Sequence, residues 1–471
     1  MSEREYDLLI ENGQVYVEDR LVTADIGVSR GQIAAILHRH EGYIAPGAKQ
    51  RYDAEGKVVL PGTIDPHVHI RVPGNEVRED FYTGTSAAAA GGVTTILEHP
   101  IAKPPQYSVE ILESRIRAAE KDSIVDFAFY GAAGSQFPEE IRKLSASGKV
   151  VSFKTFLHES PEGRDGEFLG LTMANDAEQY RGFRVIGETR DICGVHAENN
   201  DMINDGIRAC RERGETSGID HARSRPPITE YETVSKLILF AEATGARIEF
   251  CHISTARAME MLKDAKKRGL DIYVETCPHY LFLDESYLER YGAFAKCNPP
   301  LRGKEDVAAL WRYVEDGTVD FIGSDHSPFT YDEKTRHKDD IFAAPAGMPS
   351  IEMRLPLLLN AVNKGRLSLS RMVELISENP AKIFGLYPKK GVILPGADAD
   401  FAIVDLSEVW DVRIDDMFTK AKDIALVFDG MRLKGAVKAT FSRGTLVFED
   451  GAIPDGLRGR GEFLAPIRKN G

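Results

Sequence analysis

The stretch Pro61-Gly-Thr-Ile-Asp-Pro-His-Val-His-Ile70 follows the apolar run Val58-Val-Leu60, and together they are typical of a buried strand that carries His67 and His69 at its C-terminal end. Residues two apart in a strand point to the same side, so the two imidazoles project together. Two neighbouring imidazoles can supply two of the ligands of a metal site. A chance His-x-His pattern is also common in strands, so the rest of the chain has to decide between the two interpretations.

Seven more apolar runs follow, and amphipathic helical stretches lie between most of them, for example at 109–121, 229–244 and 256–267. After 58–70, the strand-like runs are 94–98, 125–130, 150–154, 192–196, 247–252, 271–275 and 319–325. Eight alternating units predict an α/β fold, a (β/α)8 TIM-type barrel, with its site at the C-terminal ends of the strands.

Both ends of the chain show a pattern that differs from the barrel. Residues 6–57 hold short strand signals with turn dipeptides such as Asn12-Gly13 between them, and strand character returns after Gly391. We expect the tail to pair with the N-terminal strands in one small β-sandwich domain. The predicted boundaries are 1–57 and 391–471 for the sandwich with its C-terminal tail, and 58–390 for the barrel.

The composition is that of a soluble globular protein of 471 residues, with 42% hydrophobic and 28% charged residues. The net charge of −14 argues against nucleic acid or an anionic membrane as a partner. No apolar run reaches the roughly 18 residues of a membrane span, and the N-terminus has no apolar signal region. The five cysteines are scattered without a Cys-x-x-Cys pair, which predicts reduced, buried thiols in a cytoplasmic protein.

Polar side chains lie at, or just past, the C-terminal ends of five of the predicted strands. These candidates are His67, His69, Lys154, His196, His252 and Asp325. One such residue alone would be interpreted as a buried polar group or a cap, but six at one barrel rim favour a functional site. His279 and His326 could either line this site or support it.

Four imidazoles, a carboxylate and a lysine exceed the needs of one tetrahedral zinc and suit two borderline divalent metals. A protonated lysine is not a ligand, but the carbamate that Lys154 would form with carbon dioxide is an anionic oxygen ligand able to bridge two cations. Two metals would acidify a water to hydroxide near neutral pH, and one could polarise a substrate carbonyl. Asp325 could take the proton and pass it to a leaving nitrogen. The implied chemistry is hydrolysis of an amide-like C–N bond.

Segments across nearly the whole chain match the motifs of one family. They are 61–69, 81–95, Ser152-Phe-Lys154, Val195-His-Ala-Glu198, Cys251-His-Ile-Ser254, 275–281, Asn298-Pro-Pro-Leu-Arg302, 323–328 and 391–405. On these motifs the chain resembles the cyclic amidohydrolases of the amidohydrolase superfamily, namely hydantoinases, dihydropyrimidinases, allantoinases and dihydroorotases. The resemblance implies a binuclear, usually zinc, centre bridged by carbamylated Lys154, with Asp325 as ligand and proton shuttle. It also implies a small cyclic amide as substrate and a homodimer or homotetramer.

The positions that would contact substrate are mixed. Arg71, Asn298 and Gly347 resemble the dihydroorotase pattern, in which the arginine holds a substrate carboxylate. Against this, Phe329 stands where dihydroorotases carry a second carboxylate-binding histidine, and His99-Pro-Ile-Ala102 lacks their asparagine.

Hydantoinases and dihydropyrimidinases place a tyrosine five residues after the lysine, where this chain has Glu159. The runs Thr95-Ile-Leu-Glu-His-Pro100 and 125–131 look closest to a bacterial hydantoinase of the L-type group, and Ser224-Arg-Pro226 is shared with allantoinases. We therefore expect a neutral ring, a hydantoin or a close relative.

Three alternatives stay open on the sequence. The same mechanism could open dihydroorotate or allantoin, with Arg71 as the residue that discriminates between rings. Arg71 could instead form an ion pair with Glu76, Glu79 or Asp80 in its own loop. A non-catalytic scaffold is the last alternative, and the six intact ligand positions disfavour it.

Overall fold

The computed structural model describes residues 5–161 and 163–467 of the chain. Its strands are β1 (Tyr6–Glu11), β2 (Gln14–Val17), β3 (Arg20–Ser29), β4 (Gln32–His38), β5 (Ala48–Asp53), β6 (Val58–Pro61), β7 (Thr63–Val68), β8 (Val93–Glu98), β9 (Asp126–Ala132), β10 (Ser152–Phe156), β11 (Ile192–His196), β12 (Arg247–Phe250), β13 (Ile272–Thr276), β14 (Phe321–Ile322), β15 (Phe401–Asp411), β16 (Arg432–Ser442) and β17 (Thr445–Glu449).

The α-helices are α1 (Phe81–Ala90), α2 (Val109–Asp122), α3 (Pro138–Ser147), α4 (Asp165–Phe168), α5 (Asp176–Thr189), α6 (Asn200–Glu212), α7 (Gly218–Ser224), α8 (Ile228–Thr244), α9 (Ala256–Lys267), α10 (Pro278–Phe282), α11 (Ser286–Tyr291), α12 (Lys304–Glu315), α13 (Tyr331–Thr335), α14 (Arg354–Asn363), α15 (Leu369–Val373) and α16 (Asn379–Ile383). Short 3-10 helices at 292–295, 414–416 and 422–424 and a π-helical turn at 374–378 are also present. Within the described residues, none of the helices has the length and apolar character to cross a bilayer.

Strands β7 to β14 form one parallel sheet in sequence order, with helices between most of them. The first and last strands meet, because the His69 amide donates to the His326 carbonyl at 2.9 Å and the Ser324 amide donates to Asp65 Oδ1 at 3.0 Å. This arrangement confirms the predicted (β/α)8 barrel. The helices α2, α8 and α9 also match the stretches whose apolar periodicity predicted them.

The first barrel strand differs from the expectation, because residues 58–70 contain two strands that belong to two different sheets. β6 pairs antiparallel with β15 and parallel with β2, whereas β7 pairs with β8 in the barrel. Gly62 lies at the junction, where a Cβ atom would meet Thr94 Oγ1 and come within 2.8 Å of Asp400 Cβ. An apolar run does not reveal which sheet each half joins, so the sequence pattern merged the two strands.

The second sheet has nine strands, drawn from residues 6–61 and 401–449. Its order is β17-β16-β15-β6-β2-β3-β1-β5, with β4 paired to β3. Leu8, Ile26, Val59, Phe401 and Phe441 are among the buried side chains that pack together in this part of the molecule. The sheet confirms the expected small β domain built from both ends of the chain.

A buried ionic cluster joins this sheet to the barrel. Lys390 Nζ lies 2.6 Å from Asp126 Oδ2, 2.7 Å from Asp400 Oδ2 and 2.9 Å from Asp398 Oδ2. Arg443 adds a second cation, with Nε 3.1 Å from Asp126 Oδ1. Burial lowers the pKa of Lys390, but the surrounding carboxylates outweigh burial and raise this pKa above its usual range. Because Asp126 is the first residue of β9, the cluster lies at the N-terminal end of the barrel.

Candidate metal centre

The six side chains predicted from the strand ends lie at the C-terminal end of the barrel. His67, Lys154 and His196 lie on β7, β10 and β11, while His69, His252 and Asp325 follow β7, β12 and β14. Five of them are buried, and the Asp325 side chain is 12% exposed. This is the end at which a (β/α)8 barrel carries its active site.

Short contacts connect the histidines to one another and to Asp325. Asp325 Oδ1 lies 3.3 Å from His69 Nε2 and 3.4 Å from His67 Nε2. On the other side, His196 Nδ1 lies 3.1 Å from His252 Nε2. The ring centroids of His67 and His252 are 5.4 Å apart, which links the two sets. The donor atoms of five predicted ligands thus face one small volume.

Lys154 is the buried cation of this site. Its Nζ lies 2.9 Å from Cys251 Sγ, and burial raises the pKa of that thiol well above its usual range, so the thiol is neutral. Within the described residues, no carboxylate lies close enough to Lys154 to form an ion pair. A buried amine without an ion-pair partner among the described residues fits the expected carbamate, an anionic oxygen ligand for two cations.

Burial keeps three of the candidate imidazoles neutral. It lowers the pKa of His67 and of His252 well below the usual histidine value, and it lowers the pKa of His69 to about 4. A neutral imidazole has the free lone pair that a metal requires. Burial raises the pKa of Asp325, but the hydrogen bond with His69 and the neighbouring cationic groups outweigh burial and hold this pKa below its ordinary value. The Asp325 carboxylate is therefore ionised at neutral pH.

The donor set fits divalent cations. Neutral imidazoles with one carboxylate are the ligands that Zn²⁺ and related borderline ions take. Among the described residues, Nδ1 of His69 and Nδ1 of His252 have no hydrogen-bond partner. The candidate ligand atoms of His67, Cys251 and Glu275 also lie within 4.8 Å of one another.

Two glutamates that the sequence analysis did not select orient the histidines. Glu275 Oε2 lies 2.8 Å from His67 Nδ1 and accepts the His252 backbone amide at 2.9 Å. Glu198 Oε2 lies 2.8 Å from His196 Nε2 and 2.6 Å from Arg225 Nη1. Such carboxylates fix which ring nitrogen is free to bind a metal. Glu275 could have been selected from the sequence, because it is the last residue of the predicted strand 271–275.

Three further histidines have distinct places around the centre. His99 was also missed: its ring stacks on His67 at 3.8 Å, and its Nε2 lies 3.1 Å from the Pro66 carbonyl oxygen. Neither ring nitrogen of buried His279 has a partner within the described residues, and burial lowers its pKa to about 4 while the charge of Asp325 raises it. The influence of the Asp325 charge places His279 near the centre. His326 supports it, because its backbone closes the barrel and its Nε2 lies 3.3 Å from Glu79 Oε2.

Two of the three predicted substrate residues meet through Ser327. Arg71 Nη2 donates to Ser327 Oγ at 2.6 Å. At Gly347, where φ is 149°, a Cβ atom would lie 2.5 Å from the same Oγ, so this position requires glycine. Asn298 is separate from this contact, and its buried Oδ1 has no partner among the described residues.

Arg71 is buried, and its Nε and Nη1 have no hydrogen-bond partner within the described part of the chain. Its nearest carboxylate is Glu167, at 4.0 Å, and its guanidinium lies 4.6 Å from the centre of the Phe329 ring. Burial and the charges of Arg164 and Arg78 lower its pKa to about 9.

The alternative in which Arg71 pairs within its own loop is wrong. Glu79 contacts Thr419, Lys420 and His326 instead, and Asp80 caps α1. Glu76 accepts from the Gly74 amide at 3.1 Å. A pairing with Glu167 was not predictable, because this residue lies nearly one hundred positions away, on the short helix α4.

Three residues of the site adopt left-handed backbone conformations. The φ angles are 63° at Arg71, 42° at His252 and 49° at Asp325. Such conformations cost non-glycine residues about 1–3 kcal/mol each, and they concentrate at functional sites.

Glu159, which stands at the position where hydantoinases carry a tyrosine, has an exposed side chain.

Comparisons with known proteins agree on the family. The Amidohydrolase family model matches residues 58–447. An allantoinase from Rubrobacter xylanophilus is 37% identical over 468 residues, which is 99% of each chain. An L-hydantoinase from Paenarthrobacter aurescens is 34% identical over 95% of this chain and 96% of its own. A dihydroorotase from Methanothermobacter thermautotrophicus is 34% identical over 98% of this chain and 97% of its own.

A solved structure supports the same conclusion. The L-hydantoinase (dihydropyrimidinase) from Arthrobacter aurescens superposes with a TM-score of 0.91 at 33% identity, covering 98% of this chain and 100% of that chain. The resemblance inferred from the sequence motifs is confirmed. Because the family match covers most of the chain and these relatives align over nearly all of it, the chain belongs to the amidohydrolase family.

Proposed function

We propose that the protein is a divalent-metal-dependent hydrolase that opens a cyclic amide, a hydantoin-like or related ring. The convergence of four histidines, Lys154 and Asp325 at the C-terminal end of the barrel is the observation that carries this proposal. The relatives named allantoinase, L-hydantoinase and dihydroorotase support the same reaction class.

In this proposal His67, His69, His196, His252 and Asp325 would hold two divalent ions, most suitably Zn²⁺, and the carbamate of Lys154 would be a ligand shared by both. When bound, they supply a hydroxide near neutral pH and polarise the carbonyl that it attacks. Glu275 holds the His67 imidazole and Glu198 holds the His196 imidazole in the tautomer that leaves the other ring nitrogen for a metal.

Asp325 moves the proton. Its ionised carboxylate lies beside both His67 and His69, so it can accept the proton released when hydroxide adds to the ring carbonyl carbon. When the ring C–N bond breaks, the same oxygen returns this proton to the leaving nitrogen. One water is consumed, and the products carry a new carboxylic acid and a new N–H.

We favour a neutral ring. The aromatic ring of Phe329 lies over the guanidinium of Arg71, and Glu167 already brings a carboxylate to within 4.0 Å of that guanidinium. The second candidate is a ring that bears a carboxylate, as in a dihydroorotase. One observation favours it: the two unpartnered nitrogens of buried Arg71 could bind that carboxylate.

Ring-opening rates test both candidates. Zinc-loaded protein supplied with bicarbonate is assayed on a 5-substituted hydantoin, dihydrouracil, allantoin and dihydroorotate. We expect the hydantoin or allantoin to react fastest, and Arg71→Ala to change that preference little. Dihydroorotate as the best substrate, with its preference lost in Arg71→Ala, would instead establish the carboxylate-bearing ring.

A metal-site variant separates an enzyme from a scaffold. His67→Ala should lose both bound metal and turnover, and metal content per chain is measured by plasma emission spectrometry. Wild-type protein that turns over none of the four rings and binds no metal would contradict the proposal.

We also propose that the protein is a cytoplasmic homodimer or homotetramer. All five cysteines are buried and unpaired, which suits a reducing compartment. Light scattering coupled to size-exclusion chromatography measures the subunit count, and a monomer at micromolar concentration would contradict the assembly.

A further inference from the structure

A cavity of about 590 Å³ lies next to the nine-stranded sheet. Two turns line it, Arg30-Gly31 between β3 and β4 and Arg443-Gly444 between β16 and β17, together with Lys389 and Arg460. Arg443 also contacts Asp126 at the start of β9. The cavity therefore lies towards the N-terminal end of the barrel, away from the candidate metal centre at the C-terminal end.

Within the described residues, three cations of this cavity have no carboxylate oxygen closer than 3.8 Å. Arg30 forms no ion pair within the described residues. Lys389 lies 3.8 Å from Asp398, which is itself held by Lys390 at 2.9 Å. Arg460 Nη2 reaches only the Ser442 and Arg443 carbonyls, at 3.4 and 3.3 Å, and its buried Nε has no partner in the described chain.

The acidic residues of the cavity, by contrast, are already engaged. Asp7 accepts from Lys49 at 2.8 Å and from the Arg30 backbone amide at 2.7 Å. Glu462 pairs with Arg443, and Asp398 with Lys390. The cavity thus keeps an excess of positive charge in a chain whose net charge is −14.

We propose that this cavity binds a small-molecule oxyanion, a metabolite bearing phosphate or carboxylate groups. Guanidinium groups match the oxygens of both anions in a fork geometry, and a lysine adds a point charge. The volume falls within the range of about 300–1,000 Å³ that is usual for ligand cavities. An anion there would give Arg460 Nε a hydrogen-bond partner and would bring a negative charge close to Arg30 and Lys389.

Calorimetric titration with inorganic phosphate, and separately with succinate, tests this site on the metal-loaded protein. We expect saturable binding of at least one of the two anions. The double variant Arg30→Gln/Lys389→Gln should weaken that binding at least about tenfold, since two charge-assisted contacts are lost. Both changes are at exposed side chains, so folding is preserved, and Arg460→Lys should bind better than Arg460→Gln.

Two controls define the result. Lys304→Gln/Lys364→Gln makes the same change in net charge at exposed positions outside the cavity, and it should bind like the wild type. Phosphate held by the metal centre would instead be lost in His67→Ala and retained in Arg30→Gln/Lys389→Gln, and that pattern would overturn the proposal. Absence of saturable binding for both anions would overturn it as well. Whichever anion binds more tightly identifies the chemical class of the occupant.

Discussion

Glu275 Oε2 lies 2.8 Å from His67 Nδ1 and accepts the His252 backbone amide at 2.9 Å, so one buried carboxylate orients two residues of the candidate metal centre. His67 lies on β7 and His252 follows β12, on well-separated barrel strands. The placement of these two ligands relative to each other therefore depends on a residue that is not itself in the predicted ligand set.

The first prediction concerns this carboxylate. Glu275→Gln should lower zinc affinity or kcat/KM by about 10- to 100-fold, because the amide keeps an acceptor oxygen but, unlike the carboxyl group, cannot ionise beside the His67 imidazole. Glu275→Ala should lose more, since it removes the acceptor as well. Metal content and rates are measured together, with exposed Glu120→Gln as the control. Unchanged affinity and rate in Glu275→Ala would show that the histidines are held without it.

The second prediction concerns the proton carried by Asp325. Asp325→Asn keeps an oxygen beside His67 and His69 but cannot accept a proton, so kcat should fall by about 100-fold or more. Metal analysis of the same sample distinguishes lost proton transfer from lost metal. Full activity in metal-loaded Asp325→Asn would assign the proton to another group.

The third prediction follows from the contact between Gly347 and Ser327. Gly347→Ala should lower kcat/KM by about tenfold or more while metal content stays unchanged, because the added methyl displaces the hydroxyl that Arg71 contacts and strains a backbone with φ of 149°. Gly47→Ala is the matched control, since a Cβ there meets nothing within 4 Å. If Gly347→Ala lost metal as well as activity, the substitution would disturb more than the contact between Ser327 and Arg71.

The fourth prediction concerns the buried ionic cluster around Lys390, at the N-terminal end of the barrel. Lys390→Met should lower the free energy of unfolding by about 3–5 kcal/mol, because it leaves Asp126, Asp398 and Asp400 buried with less compensation. Chemical denaturation measures the change. The adjacent exposed Lys389→Met should change stability little, and equal effects in the two variants would contradict a special role for Lys390.

The fifth prediction is a pH dependence. Burial raises the pKa of Glu352 to about 8, whereas its carboxyl would ionise near 4.5 in the unfolded chain. The folded state therefore holds a proton that the unfolded state has released, so this group lowers stability as the pH rises from about 5 to 8. Glu352→Gln stays neutral and keeps an oxygen that can accept from the Phe418 and Thr419 amides.

The Tm of Glu352→Gln should accordingly exceed that of the wild type at pH 8.5 and approach it at pH 5. Thermal denaturation across this range measures the difference, with Glu120→Gln as the control. A constant difference at every pH would mean that Glu352 does not titrate in this window.

Much of the barrel and of the candidate centre was predictable from the sequence. Polar residues such as His196 and His252 stand at the ends of apolar runs, and the C-terminal ends of all the barrel strands lie on the same side of the barrel. The glutamates were harder. Glu275 obeys the same rule, yet its partners His67 and His252 are known only once distant strands are placed together. The position of Arg71 shows the same limit, since its nearest carboxylate, Glu167, lies on α4, and no local sequence pattern connects that helix to Arg71.

The direct connection between β6 and β7 through Gly62 restricts how this enzyme could be recombined with its relatives. The backbone of residues 58–68 belongs to the nine-stranded sheet at one end and carries His67 at the other. A chimaera that exchanges the barrel must therefore retain matching neighbours for β6, namely β2 from the start of the chain and β15 from its end. If the barrel were exchanged at a single junction, β6 would lose the pairing with β2 or β15 that holds it, and β7, which carries His67, would no longer be fixed at its start.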